Sequence, residues 1–94
     1  MQQEQAEAIA IDALSFIASD PDLLPRFLAL TGIEARHIRK AAGEPGFLAG
    51  VLQFVLAHEP TLMAFCEKTA IPPRQVEAAH RALPLGEEGW DIQP

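Results

Sequence analysis

Ninety-four residues with 13 acids against 7 bases, a formal net charge of −6, suffice for one domain and are too acidic to favour phosphate backbones over the whole surface. Apolar residues make up 49% but aromatics only 6%, with no tyrosine, so the interior must be built from Leu, Ile, Val, Ala and five Phe, a composition that favours helix over strand. The single cysteine, Cys66, excludes an internal disulfide, and the longest uncharged run, residues 45–58, falls short of the roughly 20 residues a membrane span needs.

The spacing predicts six short helices. In residues 4–19, Ala10, Ala13, Leu14 and Ile17 share one face, widened by Ile9 and Phe16, and "DPD" at 20–22 ends the helix. A second helix is expected over 22–31, with Leu24, Phe27 and Leu28 inward and Pro25 tolerated in the first turn. Gly32 is its natural left-handed terminator. A third helix is expected over 34–42, ending at Gly43. The fourth, 45–57, is apolar nearly all round, with Gln53 its one hydrophilic side chain, and should be the buried central helix. "HEP" at 58–60 breaks it and places Pro60 at the start of a fifth helix, whose inner face is read as Leu62, Met63, Phe65 and Cys66. "IPP" at 71–73 opens the sixth, with Val76, Ala79, His80 and Leu83 on one face, and Pro84 and Gly86 close regular structure. The domain is therefore set at residues 1–86, followed by an acidic tail, 87–94.

The chain also matches itself at an offset of 38 residues. Leu14, Phe16, Leu24, Phe27, Thr31, Ile33, Arg36 and Ala41 meet Leu52, Phe54, Leu62, Phe65, Thr69, Ile71, Arg74 and Ala79, while Ile17 and Ile38 meet Val55 and Val76. Two degenerate copies of a three-helix unit are the reading, against chance matching among Leu- and Ala-rich helices.

Charge is uneven along this frame. Residues 1–22 carry five acids and no base, whereas in 26–42 Arg26, Arg36, Arg39 and Lys40 oppose only Glu34. Arg36, Arg39 and Lys40, at i, i+3 and i+4 of the third helix, form one exposed basic face beside His37. Together with Gly32 in the turn, that face fits a helix-turn-helix nucleic-acid reader. It equally fits a helical corner whose bases complement the helix dipole, and the second copy keeps the apolar frame without the charge. A protein-interaction or regulatory module is the leading expectation, nucleic-acid binding through the same face the alternative.

Catalysis and cofactors are not expected. "HEPTL" at 58–62 starts like a zinc-protease motif but has Leu62 where the second His must stand. His37, His58, His80 and Cys66 show no metal-ligand spacing, so no metal is expected. Cys66 reads as a small buried hydrophobe and His80 as a capping or half-buried core residue. Ser15 and Ser19 lack a nucleophile elbow, and Glu87 and Glu88 read as a solvated pair. Trp90, the single tryptophan, stands with Ile92 in the acidic tail. A ring of that size calls for a dock, on this domain's own core by preference, next on a partner or on a second copy in a homodimer, and failing these it is loose. The candidate contact residues are Arg36, Arg39, Lys40 and Trp90.

At "ALSFIASDPDLLPRFLALTGI", "FLAGVLQFVLAHEPTLMAFC" and "ALPLG" the chain resembles a family of small bacterial helical proteins catalogued as domain of unknown function 3572, over about residues 8–86. The resemblance implies a stand-alone bacterial protein of the cytosol and brings no catalytic residues. An N-terminus that is acidic and polar, "MQQEQAEA", agrees with a cytoplasmic location.

Overall fold

A computed structural model describes residues 1–44 and 46–84. Over them the chain forms α1 (Gln3–Ala18), α2 (Leu23–Thr31), α3 (Ile38–Ala41), α4 (Phe47–Leu56), α5 (Glu59–Thr69) and α6 (Pro73–Ala82), with a 3-10 turn, Ala35–His37, before α3. No strand occurs among the described residues, and the fold is all-α. The start of the fourth helix at Pro45 and the whole tail, with Gly86, Glu87, Glu88 and Trp90, lie outside them.

Local chemistry sets the helix ends. Asp20 does the stopping and restarting that "DPD" promised: its Oδ1 accepts the backbone N–H groups of Asp22 (2.8 Å) and Leu23 (3.1 Å), serving two donors at the head of α2. Pro25 then falls at the third position of α2, where no intrahelical donor is needed. Gly32 ends α2 in the left-handed conformation (φ 76°). Pro60 is the second residue of α5, since Glu59 precedes it, and Pro73 is the first of α6.

Two expectations change. The third helix is not continuous over 34–42: His37 sits at φ −103°, ψ 3°, far from the helical ψ, and separates the 3-10 turn from a single α-helical turn. The inner face of α5 is Thr61, Phe65 and Cys66, with Leu62 half-buried against the core as expected, whereas Met63 is 50% exposed.

The core is centred on three helices. α4 packs on α1 and on α6, and α6 packs on α1. Ala6, Ala10 and Ala13 make a smooth stripe along α1 that lets the neighbouring helices approach closely, and Ile17, Val51, Leu52, Val55 and Val76 fill the space between. No residue from Phe47 to Leu56 is exposed, so α4 is the enclosed central helix. A bend of 106° separates it from α5.

The 38-residue offset reappears in atomic detail. Thr31 Oγ1 donates to the Phe27 carbonyl (2.9 Å) and accepts from the Ile33 N–H (3.3 Å); Thr69 Oγ1 donates to the Phe65 carbonyl (2.7 Å) and accepts from the Ile71 N–H (3.3 Å). Gly32 N–H donates to Leu28, and Ala70 N–H to Cys66, both from left-handed residues. His37 N–H donates to Glu34, and Gln75 N–H to Pro72. The copies are also exchanged in space. Phe27 of α2 meets Phe54 of α4 edge-on at 5.4 Å, and Phe65 of α5 meets Phe16 of α1 edge-on at 5.5 Å, the relation that a pseudo-twofold axis between the copies requires.

The copies differ at their third members. α6 is a ten-residue helix laid across α1 and α4, whereas its counterpart, the 3-10 turn and α3, touches the other helices only weakly.

Candidate functional site

The distinctive surface lies where the first copy is incomplete. After Gly32 the chain enters the 3-10 turn, and Arg36 Nε donates to Glu34 Oε1 at 2.8 Å across exposed side chains. His37 Nδ1 stands 3.7 Å from the same carboxylate oxygen. Such an exposed pair adds roughly 0.2–1 kcal/mol at best, but it does occupy Arg36. Arg39 and Lys40 are exposed on the single turn of α3 and form no ion pair with any described residue. The expected three-residue basic face is thus split: the break at His37 removes the common helical register, and Glu34 holds one of the three cations.

Beside this segment runs an apolar groove of about 300 Å³ lined by Phe27, Leu30, Ile33, Ala41, Phe47 and Gly50. Leu30 is 72% exposed, the most exposed large hydrophobic side chain among the described residues. The groove opens at one side into a depression bordered by His37, Lys40, Glu34 and Glu44, with Ile33, Ala41 and Glu44 common to both. At another side, through Glu44 and Gly46, it meets a depression of about 290 Å³ bordered by Glu7, Leu83 and Pro84, where the described chain ends. The helical pattern of "FLALTGI" could have flagged Leu30, an apolar residue outside the inward stripe of α2. The groove itself was invisible, because it exists only where α3 fails to form a full helix.

A larger and more open dish of about 710 Å³ lies on the α5–α6 corner, between Pro60, Met63, Cys66, Ala70, Ile71 and Pro72. Its breadth is that of a shallow surface, and Glu67 is the one charged residue lining it. Cys66 is 9% exposed there, and burial pushes its thiol above the ordinary value, which keeps it protonated and weakly nucleophilic.

The other motifs take structural places. His58 Nδ1 hydrogen-bonds the buried Thr61 hydroxyl at 2.7 Å, so the histidine of "HEPTL" sits at the cap of α5. His80 is half-buried on α6. Among the described residues no group of three His, Cys, Asp or Glu is placed to hold a metal ion, and no single helix is long and apolar enough to cross a membrane. Trp90 lies outside the described residues.

Comparison with curated proteins and with solved structures returns no match. The model of the family described as protein of unknown function (DUF3572) matches residues 3–86, the whole six-helix unit, and the chain belongs to that family.

Proposed function

We propose that this protein is a protein-interaction module without chemistry of its own, whose contact surface is the groove of Phe27, Leu30, Ile33, Ala41 and Phe47 together with Arg39 and Lys40. The observation that carries the reading is Leu30, 72% exposed at an apolar groove that adjoins, through Ile33, Ala41 and Glu44, a depression bordered by Lys40. The partner that fits is a protein segment with an apolar anchor and neighbouring acids: the anchor gains burial in the groove, and the acids gain Arg39 and Lys40. A bacterial cytosol suits a chain whose lone cysteine is a shielded, protonated thiol.

The alternative, nucleic-acid recognition by Arg36, His37, Arg39 and Lys40, asks a helix to run along a groove of the duplex. One turn of α-helix after a 3-10 turn offers it little length.

The test is capture of a partner from the cytosol of the source organism, followed by competition. Capture that is lost in Leu30→Glu and in the Arg39→Gln/Lys40→Gln pair, and kept in Met63→Gln in the α5–α6 dish, supports the reading. Capture indifferent to Leu30 and to both cations overturns it. Salt-dependent retention on DNA, lost when Arg36, Arg39 and Lys40 all become Gln, replaces it with the nucleic-acid reading.

A further inference from the structure

We infer that the partner of this groove is a second copy of the chain, joined in a twofold dimer in which Ile11 of each copy enters the Leu30 groove of the other. This deepens the interaction reading and rests on it. It begins from what α1 turns away from the core. Ala6, Ala10, Ala13 and Ile17 are buried, whereas Glu4, Ala8, Ile11, Ser15 and Ala18, alternately four and three residues apart, are all exposed. That spacing lines them along one side of the helix, opposite the buried stripe. Ile11 is 53% exposed in the middle of it, with only the small side chains of Ala8 and Ser15 a turn to either side. A branched aliphatic knob on an otherwise low helix face has the shape that a narrow apolar groove accepts.

Charge selects what the knob meets. Glu4, Glu7 and Asp12 surround it, and residues 1–22 hold no base, so two α1 faces laid against each other would set like charges in opposition. The groove has the complementary sign on one side, where Lys40 borders the adjoining depression and Arg39 precedes it on the single turn of α3, neither in an ion pair with a described residue. Of the acids beside them, Glu34 is held by Arg36.

Position selects the symmetry. Glu7 stands one turn before Ile11 on α1 and borders the depression that joins the groove through Glu44 and Gly46. One continuous surface thus runs from the acids and knob of α1, across that depression, to the groove and the cations of α3. A second copy turned about a twofold axis presents the same series in reverse: knob meets groove, acids meet cations, and the contact is made twice. The opposing charges are Glu7 and Glu44, which lie nearest the axis and face their own counterparts.

The experiment is sedimentation of the purified full chain over a range of concentrations. The expected result is a mass that doubles as concentration rises. Ile11→Lys and Leu30→Glu should each weaken self-association about tenfold or more, while Met63→Gln leaves it unchanged. All three side chains are at least half exposed, so the fold tolerates the changes, and circular dichroism melts verify it. The deciding measurement mixes Ile11→Lys with Leu30→Glu in equal amounts. The mixture should regain the dimer, because one of its two contacts is then native and the other sets the introduced ammonium against the introduced carboxylate. A chain that stays monomeric throughout overturns the inference and leaves the groove to a different partner. A dimer indifferent to either substitution overturns it as well, as does a mixture no better than its components. Only the purified chain is used, so these outcomes are separable from the failed capture that would overturn the interaction reading.

Discussion

At residues 32 and 70 the backbone makes the same left-handed turn with different side chains. Gly32 takes φ 76° and ψ 6°, Ala70 takes φ 64° and ψ 19°, and each donates its N–H back four residues to end a helix. Glycine meets no steric penalty there, whereas the Cβ of alanine crowds the following carbonyl at a cost of about 1 kcal/mol. A Cβ added at Gly32 would meet nothing within 4 Å, so substitution there reads backbone strain alone. Gly32→Ala should lower stability by about 1 kcal/mol and Ala70→Gly should raise it by about 0.5–1 kcal/mol, opposite signs from mirror-image substitutions. Urea denaturation of both variants checks this, and a fall in both would refute it. Cys66 makes a second prediction at this scale. Burial holds its thiol protonated in the folded chain to a higher pH than in the unfolded chain, where the value is 9.0. Its contribution to stability is therefore complete below that value and is lost as pH rises through the folded one. The stability difference between the native chain and Cys66→Ala should accordingly shift against the native chain as pH rises above the unfolded value of 9.0. A difference that holds constant there would show the thiol to be no more shielded than in the unfolded chain.

The helices that were easiest to read are those whose ends carry their own chemistry. "DPD", Gly32 and the prolines at 60 and 73 announce boundaries, and α1, α2, α4, α5 and α6 fall within a few residues of them. Asp20 illustrates why: one carboxylate oxygen satisfies two backbone donors, Asp22 and Leu23, at the head of α2. Asp20→Ala should cost about 1 kcal/mol and Asp20→Asn much less, since the amide oxygen can still accept. Thermal denaturation separates the two, and equal losses would argue that charge near the helix head matters more than the acceptor. The third helix departs from its sequence pattern for the complementary reason. Residues 34–42 carry the apolar spacing and the flanking glycine of a helix, but too few of their side chains find a core; Ile33, Ala41 and Ala42 are half-buried and none from Glu34 to Lys40 is buried. Without tertiary packing a segment of this length does not pay the cost of helix nucleation, and a 3-10 turn plus one α turn remains. The candidate site follows from that departure. Arg36, Arg39 and Lys40 were visible as a charge cluster, yet their division between an ion pair and a free edge, and the groove opened beside them, depend on packing that no local pattern encodes.

At the scale of the molecule, the repeat that the sequence offered only as aligned letters becomes a statement about packing. Matching Leu with Leu across 38 residues says little in a Leu-rich chain. Matching a Thr–carbonyl–amide motif, a left-handed cap and an interlocked pair of ring contacts says more, because these features have no compositional reason to recur together. Each copy contributes its second helix to the other copy's first: Phe27 packs on Phe54, and Phe65 on Phe16. The two rings on α1 and α4 are capped by cations from non-equivalent positions, Arg26 over Phe54 and Lys68 over Phe16, both 5.9 Å from the ring centre. The contact is thus retained where the sequence that supports it has diverged, which suits two junctions that hold the halves together. If so, the junctions should be worth similar amounts although their members differ in burial. Phe27 and Phe65 are fully buried and Phe54 is 8% exposed, while Phe16 is half-buried. Single Phe→Leu changes will consequently cost least at Phe16, but the coupling energies from two double-mutant cycles, Phe27 with Phe54 and Phe65 with Phe16, should each fall at about 0.5–1.5 kcal/mol and agree within about 0.5 kcal/mol. Equilibrium denaturation of the two cycles measures both. A coupling near zero in one cycle beside a full value in the other would mean that a single junction carries the fold, and that the second edge-on pair is a geometric echo without energetic weight.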